Sequence, residues 1–254
     1  MPSRLIAGHE LEIAHVPAAR PGLPTLVFLH EGLGCIALWR NFPQRLAAAT
    51  GCGALLYSRY GYGQSAPLTG PRQDDYLHRE ALVVLPELLV AEGIAEPVLI
   101  GHSDGASIAL IHAGAARWPV KGVSAQAPHV FVEDVTITGI LAARRTFQET
   151  DMESRLGRYH RDPAATFRGW NDTWLRPSFR QWNIEGFLSG ITCPTLLIQG
   201  ISDEYATLAQ LDAIEGQVRG EVTRLDLADC GHTPFRDQPE RVLDAHARWI
   251  ASLI

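Results

Sequence analysis

The stretch Leu99–Leu110, LIGHSDGASIAL, puts a serine and an aspartate between two glycines, directly after an apolar run and directly before a run of small residues with helical character. Strand, Gly101-His102-Ser103-Asp104-Gly105, then helix is the G-x-S-x-G pattern of a nucleophile elbow. The chemistry needs that spacing. Strand and helix approach each other closely around a residue held in strained backbone geometry, and glycines at the two flanking positions remove the Cβ atoms that would collide. Ser103 is then thrust out at the carboxyl end of the sheet, where open α/β folds bind ligands. The free N–H groups of the following helix face any oxyanion that forms there. Serine and aspartate are also good helix N-caps, so the five residues acquire meaning only from their surroundings.

Those surroundings alternate strand and helix. RLIAGHELEIAHV (4–16) reads as a hairpin turning at Gly8-His9, and TLVFLH (25–30) as a strand buried on both faces. A helix over about 37–49 leads to the short apolar run ALLYS, and a helix over about 75–91 leads to PVLIGH. Beyond the elbow, a helix over about 106–116 precedes VKGVSAQAP, and the pattern resumes with CPTLLIQG, a helix over 204–214, EVTRLDL and a closing helix over 239–253. This order predicts an α/β fold with a mostly parallel sheet covered by helices on both faces. Between about 131 and 190 no buried strand is legible. Aromatic residues there lie among Arg, Asp and Pro in short helical pieces, as expected of a helical insertion over the sheet's edge.

A hydroxyl is a weak nucleophile and needs a base oriented by a third group. The chain order expected after the serine is acid, then histidine. His232, in ADCGHTPF, follows the last strand and precedes the closing helix. Asp203, in QGISDEY, lies just past the end of a buried strand, where it would orient His232 through the other ring nitrogen. Glu204 is adjacent and open to the same role, although a charge capping the following helix is its more ordinary use. In LHEGLG (29–34) the glycines let a loop turn so that the backbone N–H of Gly32 or Leu33 faces the elbow, and with that of Asp104 it would form an oxyanion hole.

Composition narrows the function classes. With 254 residues and 46% hydrophobic content the chain is long enough for one large α/β domain with an insertion. A formal net charge of -6, with no Lys/Arg block, argues against a nucleic-acid partner. The opening residues lack a charged region followed by an apolar one, and no segment approaches the ~20 apolar residues of a membrane span, so a cytoplasmic protein is expected. Cys35, Cys52, Cys193 and Cys230 form no CxxC pair and read as reduced thiols, with no metal site. Gly61 and Gly63 in GYGQSA lack the third glycine of a dinucleotide fingerprint.

On HEGLG (30–34), SRYGYGQS (58–65), GHSDGAS (101–107), QGISDEY (199–205) and CGHTPF (230–235), the sequence resembles the α/β-hydrolase superfamily, and within it the small capped carboxylesterase-type serine hydrolases. The resemblance spans essentially the whole chain. It implies an eight-stranded sheet, with a core of 1–130 and 191–254 and a helical cap of 131–190. It further implies Ser103 as nucleophile, Asp203 as acid, His232 as base, and Gly32 or Leu33 with Asp104 as oxyanion donors. No cofactor is implied, and the partner is a small-molecule ester. Two positions depart from the common pattern: Glu31 stands where many relatives have Gly, and Asp104 where they have a nonpolar or aromatic residue. Glu31, His129, Trp170 and Trp174 are candidate pocket residues, the last two equally suited to a small core within the cap. The same triad cleaves carbon–carbon bonds in meta-cleavage ketones, and some members of the superfamily bind ligands as receptors. Oligomeric state is left open.

Overall fold

The computed structural model describes residues 2–254. Its frame is one eight-stranded sheet in the order β1-β2-β4-β3-β5-β6-β7-β8. The strands are β1 (Ser3–Ile6), β2 (His9–Val16), β3 (Thr25–Leu29), β4 (Gly53–Tyr57), β5 (Val98–His102), β6 (Gly122–Gln126), β7 (Thr195–Gly200) and β8 (Val222–Leu227). β2 runs antiparallel to β1 and β4, and every other pairing is parallel, so the carboxyl ends of β3, β5, β6 and β7 open on one edge.

Alternation along the strands builds two cores. Val27, Leu29, Leu55, Leu99, Val123 and Leu197 face one layer, while Leu26, Phe28, Leu56, Val98, Ile100 and Leu196 face the other, where Trp39, Phe42, Phe235 and Trp249 fill the space. The helices are α1 (Phe42–Thr50), α2 (Tyr76–Arg79), α3 (Leu85–Ala91), α4 (Asp104–Gly114), α5 (Asp134–Glu149), α6 (Met152–Leu156), α7 (Pro163–Trp174), α8 (Glu185–Leu188), α9 (Ala209–Gln217), α10 (Pro234–Asp237) and α11 (Pro239–Ala251). Helices α5 to α8 all lie in the segment joining β6 to its neighbour β7. The two ends of that segment meet in a bridge between Phe131 and Asn183, and Ile184 N–H donates to Val130 O at 2.8 Å.

Three helices differ from the sequence expectation. The first is broken: a 3-10 turn at Ile36–Trp39 ends where Arg40 takes φ 54°, and α1 starts afresh with Pro43 in its first turn. The second contains a π turn, Glu80–Val84, between α2 and α3, just before Pro86, which has no N–H to give the helix. The third starts later than 204, because Asp203 Oδ1 accepts the Tyr205 N–H at 2.8 Å and holds a turn there; α9 begins only at Ala209. No helix among the described residues is long and apolar enough to cross a membrane. The four cysteines are free.

Candidate active site

Ser103 sits between β5 and α4 with φ 53° and ψ -119°, a conformation that L residues rarely adopt. The tight turn depends on its flanking glycines. A Cβ on Gly105 would lie 1.9 Å from Leu29 O, and one on Gly101 would lie 2.5 Å from the Ala106 Cα. Both neighbours are backbone and cannot step aside. Strand β5 and helix α4 therefore close around Ser103, which points its Oγ at His232.

His232 Nε2 lies 2.9 Å from Ser103 Oγ, and His232 Nδ1 lies 2.9 Å from both carboxylate oxygens of Asp203. Nδ1 must therefore donate, which leaves Nε2 free to accept from the serine. Burial disfavours a charged His232, but the Asp203 carboxylate outweighs it and holds the imidazole above its ordinary value. Asp203 is in turn held below the usual carboxylate range, its burial outweighed by His232. Glu204 takes a different part. It lies outside any helix, so it caps none, and its Oε2 accepts the backbone N–H of His232 at 3.2 Å. His102, between Gly101 and Ser103, donates from Nε2 to the His232 carbonyl at 2.7 Å. The histidine loop is thus gripped on both sides of its backbone.

Gly32, Leu33 and Asp104 border the same cavity as Ser103 and His232. None of their three N–H groups donates to another group among the described residues. The loop that carries the first two is fixed through one carbonyl. Glu31 O accepts from His30 Nδ1 at 2.8 Å, from Arg59 Nη2 at 2.8 Å and from Gly34 N–H at 3.0 Å. Because a trans peptide points its N–H opposite its C=O, these bonds also set the direction of the Gly32 N–H. Arg59, fully buried, contacts Asp104 Oδ2 at 3.3 Å, and the same oxygen accepts from Tyr76 Oη at 2.7 Å. Tyr76 Oη accepts from Trp174 Nε1 at 3.0 Å. Asp104, 1% exposed, is thus an internal anchor that cross-braces the two sides of the expected oxyanion site, and its charge is met by Arg59. The sequence places an acid beside that site; the fold turns its side chain inward.

Glu31 is the opposite case. Its side chain is 21% exposed, it borders the cavity, and His102 Nδ1 stands 3.5 Å from its Oε2. Burial opposes ionisation, yet His102 prevails and holds the Glu31 carboxyl down at about 2. His129, Trp170 and Trp174 also border the cavity. Burial pushes His129 down to about 4, so it is neutral at pH 7. Trp174 packs on Phe179 and Trp182, and Trp170 on Phe167, and both residues also border the cavity. Thr136, Ile140, Tyr205, Thr233 and Arg236 complete the lining and carried no sequence signal of their own. The cavity measures about 270 Å³. That is near the lower end for ligand sites and suits a small molecule.

Residues 26–245 match the profile of the Alpha/beta hydrolase family. No curated protein matches the sequence. Among solved structures the chain is similar to a thermophilic esterase from Thermogutta terrifontis, with 19% identity, coverage of 99% of this chain and 98% of that one, and a TM-score of 0.75. It is also similar to an enol-lactonase from Burkholderia xenovorans LB400 (17%, 98% and 100%, 0.74) and to a meta-cleavage product hydrolase from Pseudomonas fluorescens IP01 (17%, 100% and 98%, 0.74). At these identities the likeness is one of fold.

Proposed function

Since the chain belongs to the alpha/beta hydrolase family, we propose that it is a serine hydrolase that cleaves a small carboxylic ester through an acyl-enzyme, with Ser103 as nucleophile, His232 as base and Asp203 as acid. The observation that carries this reading is the continuous hydrogen-bond chain from Ser103 through His232 to Asp203 at the wall of a small cavity. Neutral His232 takes the proton as Ser103 Oγ attacks the carbonyl carbon, and Asp203 stabilises the imidazolium that results. The negative oxygen of the tetrahedral intermediate is received by the N–H of Asp104 with that of Gly32 or Leu33. Such donors contribute about 10²–10³ each to kcat. His232 then protonates the departing alcohol and activates the water that releases the acid.

A second reading, a carbon–carbon bond hydrolase acting on an anionic ring-cleavage ketone, is favoured by Arg236, whose Nε is buried without a partner on the cavity wall. Against it stands Glu31, a carboxylate that borders the same cavity and works against an anion there. Labelling separates activity from inactivity. A fluorophosphonate is expected to add one label, on the peptide containing Ser103, with turnover of a short-chain aryl ester lost in a folded Ser103→Ala. A label elsewhere or an active alanine variant would refute the mechanism. A dienone carboxylate turned over faster than the aryl ester would move the assignment to the second reading.

A further inference from the structure

We propose that Glu31 and His102 are positioning residues for the reaction, a carboxylate–imidazolium pair that holds the loop of His232 in register with Ser103; the assignment rests on the reading of Ser103 as nucleophile and His232 as base. The protonation of His102 follows from its two polar neighbours. Its Nε2 lies 2.7 Å from the His232 carbonyl, and a carbonyl only accepts, so Nε2 carries a proton. A neutral ring would then leave Nδ1 bare. That atom is closed to solvent and has no hydrogen-bond partner among the described residues, and Glu31 Oε2 stands 3.5 Å from it. A lone pair set against a buried carboxylate oxygen is repulsive, whereas a second proton, on Nδ1, turns the same contact into an ion pair.

The loop is shaped for that contact. The Gly34 N–H closes a turn by donating to Glu31 O at 3.0 Å, and the Glu31 side chain folds back over the turn, so that a Cβ on Gly34 would fall 2.2 Å from Glu31 Oε2. A larger residue there would displace the carboxylate. On the other faces of the His102 ring, Trp39 and Phe235 meet it edge to face, at centroid distances of 6.3 and 5.4 Å, and keep its plane.

One ring thus joins three parts of the site. Its own backbone precedes Ser103, Nε2 grips the loop of the base, and Nδ1 meets the loop that carries Gly32 and Leu33. Glu204 holds the N–H of His232 and His102 holds its C=O, so both peptide planes that flank the residue are fixed, and with them the direction of its Cα–Cβ bond. Because His102 is 1% exposed and Glu204 is open to solvent, the contact from His102 is the stronger of the two. Glu31 has a second effect. The rings of His102 and His232 are 5.3 Å apart, so a charge on the first opposes the imidazolium that the second becomes, and the Glu31 carboxylate offsets it.

The test begins with the unmodified protein. In nitrogen NMR, with His102 assigned through its backbone, both ring nitrogens are expected to carry protons near neutral pH; a bare Nδ1 would overturn the proposal whether or not any variant folds. The second measurement is kcat for a short-chain aryl ester, referred to the amount of Ser103 that a fluorophosphonate labels at completion. A misplaced base loses rate and not affinity, so Glu31→Gln and Gly34→Ala should each lower kcat roughly tenfold and His102→Leu about 10²-fold, with KM unchanged to within about twofold. His102→Gln, whose amide reaches the same carbonyl as a neutral donor, should regain part of that loss. In the His102→Gln protein, Glu31→Gln should have no further effect, because the ring through which it acts is gone. An equal loss from Glu31→Gln in both backgrounds, a loss confined to KM, or an unchanged kcat with Ser103 fully labelled would overturn the proposal alone. Failure of Ser103 to label at all would instead remove the nucleophile on which the proposal rests.

Discussion

Truncating Asp104 to alanine should cost far more stability than its place beside a catalytic serine suggests. Its carboxylate lies 3.3 Å from Arg59 Nη1, with both side chains essentially without solvent contact, and the same oxygen accepts the Tyr76 hydroxyl at 2.7 Å. Removing one partner of a buried ion pair costs about 3–5 kcal/mol, because the other charge is left without compensation. Stranding the buried Tyr76 O–H adds roughly 1 kcal/mol or more. The expected loss is then about 4–6 kcal/mol, a large share of the ~5–15 kcal/mol that holds a folded domain together. For a chain of this size it corresponds to a fall in Tm of roughly 10–20 °C. Urea unfolding followed by tryptophan fluorescence measures it, with Asp104→Asn as the variant that keeps an acceptor and loses the charge. The double variant Arg59→Met with Asp104→Leu should regain part of the stability, since the Arg59–Asp104 pair is removed together while the buried Glu80 loses a cation, yet should stay slow to react with a fluorophosphonate because the Glu31 carbonyl has lost its guanidinium. An Asp104→Ala protein within 1 kcal/mol of the parent would refute this account of Asp104 as the anchor of a buried cation.

The remaining expectations are narrower. With His232 required neutral and its pKa held above the ordinary 6.5, kcat/KM for a neutral ester should rise with pH around a midpoint above 6.5 and be lost below it; a profile flat through neutrality would contradict the base. Asp203→Asn should lower kcat on the order of 10⁴, whereas Glu204→Gln, which disturbs one backbone contact to the histidine loop, should act far more weakly in the same steady-state assay. Because Ser103 has φ 53°, Ser103→Gly should be more stable than Ser103→Ala by about 1 kcal/mol in urea unfolding; equal stabilities would mean that the elbow is unstrained.

What the sequence could disclose follows from how far each signal reaches along the chain. The elbow is local: Gly101 and Gly105 reveal themselves because the crowding that demands them lies within one strand-turn-helix unit. The mostly parallel character of the sheet was legible from strands alternating with helices, whose connections call for parallel crossovers; the strand order was not. The helix breaks at Arg40, at the π turn and before Ala209 were hidden. Each depends on a turn or hydrogen bond, such as Asp203 to the Tyr205 N–H, that competes with a periodic pattern which by itself looks helical. Glu31 and Asp104 make the sharper lesson. Both are acids beside the same expected site, yet one borders the cavity beside His102 and the other turns inward to Arg59, forty-five residues upstream of Asp104. Arg236 and Tyr205 were invisible because a cavity wall is assembled from loops whose proximity exists only after folding.

The bond from Trp174 to Tyr76, and from Tyr76 to Asp104, has a mechanical consequence. The last residue of α7 is moored to the floor of the sheet by buried polar contacts, so swinging that helix outward would sever them and bare an indole to water. On the other side of the cavity, Glu204 is exposed and Arg236 half-buried. Amide hydrogens near Trp174 should accordingly exchange with solvent as slowly as those of β5, making this helix part of the rigid wall and not a door.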